Sequence, residues 1–202
     1  MIQSNISIVE ALTQLNVAVE HLAQSVQRSH LMNELTRGML KARSQFGQDL
    51  FALRTSNFKT GGFFVEFGAC DGVTLSNTYL LEKSFGWKGI LAEPGIRWGD
   101  SISKNRDAKI EKRCVWNNSG EAITFYEGES PEVSGTETSS FNSYTVQTIS
   151  LYDMLVTHGA PREVDFLSID TEGSELRILK SFDFSEFSFE VDQFFETGSW
   201  ER

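Results

Sequence analysis

The run Val65-Glu66-Phe67-Gly68-Ala69-Cys70-Asp71-Gly72 constrains this chain more than any other. An apolar strand, read as Phe63 to Phe67 and entered from the turn Gly61-Gly62, ends there in small residues. Small residues let the backbone turn tightly and approach a ligand without a clash. A helix is predicted to follow from Thr74 to Phe85, with Leu75, Tyr79, Leu80 and Phe85 available for burial. Amides exposed at such a helix start can receive the polar end of a nucleoside cofactor. Taken alone, the same turn reads equally well as a structural strand-to-helix connection.

The pattern continues to the C-terminus. Strands are predicted at Gly89 to Ala92, Ile110 to Trp116, Ala122 to Tyr126, Thr145 to Ser150, Val164 to Ile169 and Phe187 to Phe195. Helices are predicted at Ile96 to Asn105, Leu151 to His158 and Ser174 to Lys180. The Ser-, Thr-, Gly- and Glu-rich stretch from Glu127 to Ser143 is read as a mobile loop. Strands alternating with helices argue for an α/β fold, a parallel sheet covered by helices on both faces. With 202 residues, one such domain and one extra element are expected.

The extra element is N-terminal. Ile8, Leu12, Leu15, Val19, Leu22 and Val26 recur at alternating steps of four and three, the a/d seam of a heptad pattern. No glycine precedes Gly38 and no proline precedes Pro94, so a long helix is predicted. It either lies on its own domain or pairs with other chains. The expected division is a helical segment over residues 1–43 and an α/β domain over residues 44–202. At the junction, Ser44-Gln45-Phe46-Gly47-Gln48-Asp49 either reaches over the site or caps a helix around Leu50.

Two groups of acids narrow the chemistry. Glu93 ends the second strand, about 20 residues beyond the glycine turn, where an acid commonly grips ribose hydroxyls. With Glu66 and Asp71 at the turn itself, three carboxylates surround the expected ligand. Pyrophosphate wants bare amides and no negative charge. A ligand with an ammonium, a sulfonium and a free ribose suits the acids, which tilts the reading from a dinucleotide to S-adenosylmethionine. The second group lies in Asp165-Phe166-Leu167-Ser168-Ile169-Asp170-Thr171-Glu172-Gly173. Asp170 ends its strand at the edge where α/β sheets place ligands. Glu172 and Asp170 could instead cap the helix starting at Ser174. Asp170 is read as functional because it sits beside the cofactor turn, while for Glu172 both readings stand.

Charge and cysteine usage set further expectations. Acidic residues outnumber basic ones by 28 to 18, a formal charge of −10, which disfavours a nucleic-acid substrate. It does not repel a sulfonium or a neutral hydroxylated acceptor. Cys70 and Cys114 have no metal-ligand spacing and are expected as free thiols, with no metal site. No apolar run suits a membrane span and no signal-peptide pattern opens the chain, so a cytoplasmic location is expected.

Together these residues resemble the FkbM family of S-adenosylmethionine-dependent methyltransferases. The likeness runs from Ser44 to Glu196, through SQFGQD (44–49), FVEFGACDGVTLSNTYLLEK (64–83), GWKGILAEP (86–94), KNR (104–106), TISLYDML (148–155) and DFLSIDTEGSELRIL (165–179). It implies a Rossmann-like class I methyltransferase sheet and O-methylation of a hydroxyl on a sugar, a glycan or another small natural product. By position, Glu66, Gly68, Ala69, Asp71 and Gly72 would form the cofactor loop and Glu93 would bind the ribose. Ser76 and Asn77 match the family's SNT block and would also face the site. Asp170 would lie between methyl donor and acceptor, the first candidate for the base, with Glu172 the second.

Two departures from the family pattern matter. Members often carry a histidine after the last strand's glutamate, whereas Glu196 is followed by Thr197. Only six residues follow Glu196, so a C-terminally shortened sheet is expected, its last strand flanked by Phe182, Phe184, Phe187, Phe189, Phe194 and Phe195. An uncovered apolar edge invites pairing, which predicts a homo-oligomer or a component of a larger assembly. The rival to the enzyme is a methyltransferase-derived binding or assembly module, oligomerising through its N-terminal helix.

Overall fold

The structure, a computed structural model, describes residues 8–127, 142–171 and 173–194. The chain divides into two units, Met1–Leu40 and Lys41–Arg202. The first is built on the long helix α1 (Ile8–Lys41). Within it, Leu12, Leu15, Val19, Leu22 and Val26 are exposed, each by about half or more of its surface. No helix among the described residues is long and apolar enough to cross a membrane.

The second unit is an α/β arrangement of the Rossmann-like kind. After α2 (Gln48–Thr55), strands β1 (Phe63–Phe67), β2 (Lys88–Ala92), β3 (Lys109–Glu111), β7 (Glu163–Ile169) and β8 (Ser188–Phe194) form one sheet. Their order is β3-β2-β1-β7-β8, and every pairing is parallel. Helices α3 (Tyr79–Phe85), α4 (Gly99–Asn105), α5 (Leu151–Thr157) and α6 (Glu175–Lys180) lie between the strands in sequence. A strand buried on both faces reads as a continuous apolar run, and side chains two apart share a face. Phe64, Leu91 and Phe166 accordingly pack with Leu53, Leu80, Leu81 and Ile102. Val65, Phe67, Ile90, Leu167 and Ile169 turn the other way, onto Leu151, Met154, Leu155 and Ile178.

Three expectations are corrected here. The strand expected over Ile110 to Trp116 is two strands, β3 and β4 (Cys114–Trp116), in different sheets. Glu111 accepts hydrogen bonds from both Arg113 N (2.9 Å) and Arg113 Nε (2.8 Å), a local turn that redirects the chain. The remaining strands β5 (Ala122–Glu127) and β6 (Asn142–Ser150) form an antiparallel hairpin, and β4 joins β6 in a second sheet of order β4-β6-β5. One face of the parallel sheet thus meets Val115 and Ile149 of this small sheet as well as helices. The loop expected over Glu127 to Ser143 loses its ends to that hairpin, where Glu127 pairs with Asn142; residues 128–141 lie outside the described residues.

The third correction concerns the phenylalanines. Phe182 and Phe187 are buried in the core, and Phe182 packs edge-on against Phe184 at 4.9 Å and near Phe189 at 5.7 Å. Arg162 stacks over Phe187 at 4.9 Å. These rings cover one another, and of the four only Phe184 stays largely exposed, at 51%. The side chain of Phe194, and Phe195 altogether, lie outside the described residues.

Candidate active site

The order β3-β2-β1-β7-β8 reverses direction between β1 and β7, which opens a crevice at the carboxyl ends of those strands. A pocket occupies that place. Glu66, Phe67 and Gly68 line it from β1, Ala92, Glu93 and Pro94 from β2, and Asp170, Thr171 and Ser174 from β7. Val115, Phe125 and Trp98 supply apolar walls. Gln45 and Gln48 line it too, while the N-cap of α2 is Gly47, with no side-chain cap hydrogen bond. Asp49 accepts from Ser44 Oγ (2.6 Å) and Leu50 N (2.8 Å), securing the turn into α2.

The helix expected from Thr74 starts only at Tyr79, and residues 68–78 form a long loop instead. Its donors are committed elsewhere. Buried Glu66 accepts from Ser76 Oγ (3.0 Å), Asn77 N (2.8 Å) and Thr78 Oγ1. Asp71 accepts from Val73 N (2.8 Å), Thr74 N (2.7 Å) and Thr74 Oγ1 (2.9 Å). Side chains that satisfy amides locally compete with the helical ladder. The fully buried Arg106 fastens the loop from behind, donating to Gly72 O (2.9 Å), Ser76 Oγ (3.0 Å), Thr78 Oγ1 (2.9 Å) and Glu82 Oε2 (3.0 Å).

Gly68 is required by a close approach. Its φ is +74°, and a Cβ there would stand 2.0 Å from the Asp170 carbonyl oxygen. The small residue therefore serves contact between the ends of β1 and β7 as well as any ligand. Ala69 points into the core, and neither Asp71 nor Gly72 lines the pocket. Ser76 is buried in the Glu66–Arg106 network rather than at the pocket wall. Asn77 does reach the pocket: its Nδ2 donates to Ser168 Oγ (2.9 Å), while its buried Oδ1 has no partner.

Glu93 is buried and accepts from Cys70 N (2.8 Å) and Gly95 N (2.7 Å). Burial raises its carboxyl to about 7, those two amides pull the other way, and Glu127 and Glu66 add to the rise. Asp170 is also raised above the ordinary carboxylate range, first by burial and then by Glu175 and Glu66. No hydrogen bond reaches its carboxylate from the described residues. Thr171 N (2.8 Å) and Gly173 N (3.0 Å) go instead to Glu175, which reaches back from the first turn of α6. Glu172 lies outside the described residues. Cys70 and Cys114 are free thiols at the pocket wall; burial raises both, Cys114 to about 12.

The sequence reading missed Arg106, Glu175 and Trp98. Arg106 stood in the KNR block, whereas Glu175 serves amides two and four residues before it and Trp98 gains its role only where the pocket assembles. The acid-lined pocket lies at a Rossmann-like switch point, the place where sheets of this kind receive their ligands. The family model for the methyltransferase FkbM domain matches residues 66–201, more than half of the chain. The protein belongs to that family of S-adenosylmethionine-dependent methyltransferases. Curated proteins give no match to the chain, and solved structures give none.

Proposed function

We propose that the protein methylates a hydroxyl oxygen of a sugar, a glycan or another small natural product, on a class I methyltransferase sheet, with Asp170 as the base. The observation that carries this reading is the unequal use of the three pocket carboxylates. Glu66 holds three donors and Glu93 two amides, while Asp170 holds none among the described residues. A half-buried acid without donors from the described residues, with its affinity for a proton raised, is poised to take one.

The pocket fits S-adenosylmethionine. Its acids suit a cation, Val115, Phe125 and Trp98 suit a purine face, and the orphaned Asn77 Oδ1 calls for a donor such as an ammonium. When bound, the cofactor supplies an electrophilic methyl group. Glu93 would hold the ribose, Glu66, Asn77 and the backbone of Gly68 to Gly72 would frame the polar end, and Asp170 would take the hydroxyl proton on its carboxylate. Ser76 acts by fixing Glu66, and Glu172 is the second candidate base. Orienting donor and acceptor supplies much of the acceleration.

Calorimetric titration with S-adenosylmethionine and S-adenosylhomocysteine tests the cofactor half, with Glu93→Ala as control. Saturable binding that Glu93→Ala abolishes in a folded chain is expected. No binding by the folded parent overturns the reading and favours the assembly module. The exposed seam of α1 supports self-association as a second, compatible role, because Val19 and Val26 at one heptad position with Leu15 and Leu22 at the other suit two parallel strands. Sedimentation of the parent against Leu15→Asp with Leu22→Asp reads it; an unchanged mass sinks it.

A further inference from the structure

Resting on that reading, we infer that the acceptor carries no negative charge: the site takes neutral or amino-bearing hydroxyl compounds and rejects phosphorylated, sulfated or carboxylated ones. The described residues lining the pocket include Glu66, Glu93 and Asp170 and no Lys, Arg or His. The nearby cations are turned to other tasks. Arg106 is buried behind the loop among Glu82, Ser76 and Thr78, and Arg97 stacks on the Trp98 ring at 4.5 Å. An acceptor phosphate or carboxylate would meet Asp170 with Glu93 and Glu66 behind it, and would find no cation among the described lining residues to pair with, in a cleft whose apolar walls strengthen the repulsion.

The pocket is built for a ligand and is not merely an acidic surface. Asn77 is only 4% exposed, lines the pocket, and keeps Oδ1 unpartnered. The remaining polar side chains of the lining are largely neutral and hydrogen-bonding, among them Gln45, Gln48, Thr74, Thr171 and Ser174. Amide and hydroxyl groups of this kind match the alternating donors and acceptors of a polyol. Rejection of anions then comes from the unpaired charge they would bury, and not from a steric block.

The test uses the full chain, S-adenosylmethionine carrying a labelled methyl group, and matched acceptors: methyl glucoside, glucosamine, glucuronic acid and glucose 6-phosphate. Transfer to the first two alone supports the inference; transfer to either anion overturns it. If none is methylated, the pocket's field is read through Cys70 in a Cys114→Ser background. Aminoethyl and sulfonatoethyl methanethiosulfonate are compared at mildly alkaline pH against free cysteine. A cation preference of about 10-fold or more supports the inference, and Gln45→Lys should shrink it. Equal rates or an anion preference overturn it. Titration of S-adenosylmethionine in parallel separates this failure from failure of the cofactor reading.

Discussion

At the carboxyl ends of the neighbouring strands β1 and β7, the loop after Glu66 and the loop before α6 use their acids in opposite ways. Glu66 is turned inward and collects Ser76, Asn77 and Thr78, with Arg106 closing the network at 3.9 Å. In the β7 loop the amides of Thr171 and Gly173 are served by Glu175, which leaves Asp170 facing the pocket without a donor from the described residues. Asp170 is half-buried at the pocket, and the amides one and three residues further on are already served. A carboxylate left without a donor beside well-served amides is held in reserve for chemistry.

The largest expected effect is on turnover. Asp170→Asn should lower methyl transfer by about 10²–10⁴-fold, the usual worth of a positioned base. Its thermal midpoint should stay level or rise, because a neutral amide replaces a desolvated carboxyl. If transfer survives within a few-fold of the parent, the contrast between the two acids loses its catalytic meaning.

Next comes stability on the β1 side. Arg106→Ala leaves Glu66 buried without its cation and Glu82 with Lys83 alone, and should cost about 3–5 kcal/mol in denaturant unfolding. A loss below about 1 kcal/mol would show that the network is not what holds the loop.

Glu93 stands between the two cases, and its test is a pH profile. Its folded carboxyl lies at about 7, above the ordinary glutamate value of 4.5. Between those values the native state binds the extra proton, so stability should fall as pH rises from about 4.5 to about 7, by at most about 3 kcal/mol. Glu93→Gln should flatten that stretch of the profile. Cofactor affinity should move the other way, strengthening as pH rises through about 7, because ribose hydroxyls donate to the ionised acid. A flat affinity profile would place the ribose away from Glu93.

The smallest effect sharpens the comparison at the loop's surface. Thr74→Val removes one exposed donor to Asp71 and should cost about 0.5–1 kcal/mol. Cofactor affinity should change by no more than a few-fold, since Thr74 lines the pocket but its hydroxyl is spent on Asp71, which does not. A large loss of affinity would return Asp71 to the binding site.

Much of this was legible in the sequence for a physical reason. Buried parallel strands must be apolar on both faces, so Phe63 to Phe67, Gly89 to Ala92 and Val164 to Ile169 were read within a residue of β1, β2 and β7. The helix over Thr74 to Phe85 failed because its apolar spacing was real at Leu80 and Phe85, while Ser76, Asn77 and Thr78 gave their donors to Glu66, ten residues back at its nearest. Periodicity sees the burial of side chains and is blind to rival acceptors.

By itself, then, the sequence determined what short-range rules control: strands from continuous apolar runs, a turn that needs Gly68, and acids at three strand ends. Only the tertiary structure decided which acid is spent on the fold and which is kept. Those outcomes depend largely on partners many residues away, such as Arg106 behind the β1 loop and Cys70, 23 residues before Glu93. Desolvation works the same way: the proton affinity of Asp170 and Glu93 is set by what packs around them. A carboxylate has the same letter in the chain whether it is satisfied or waiting.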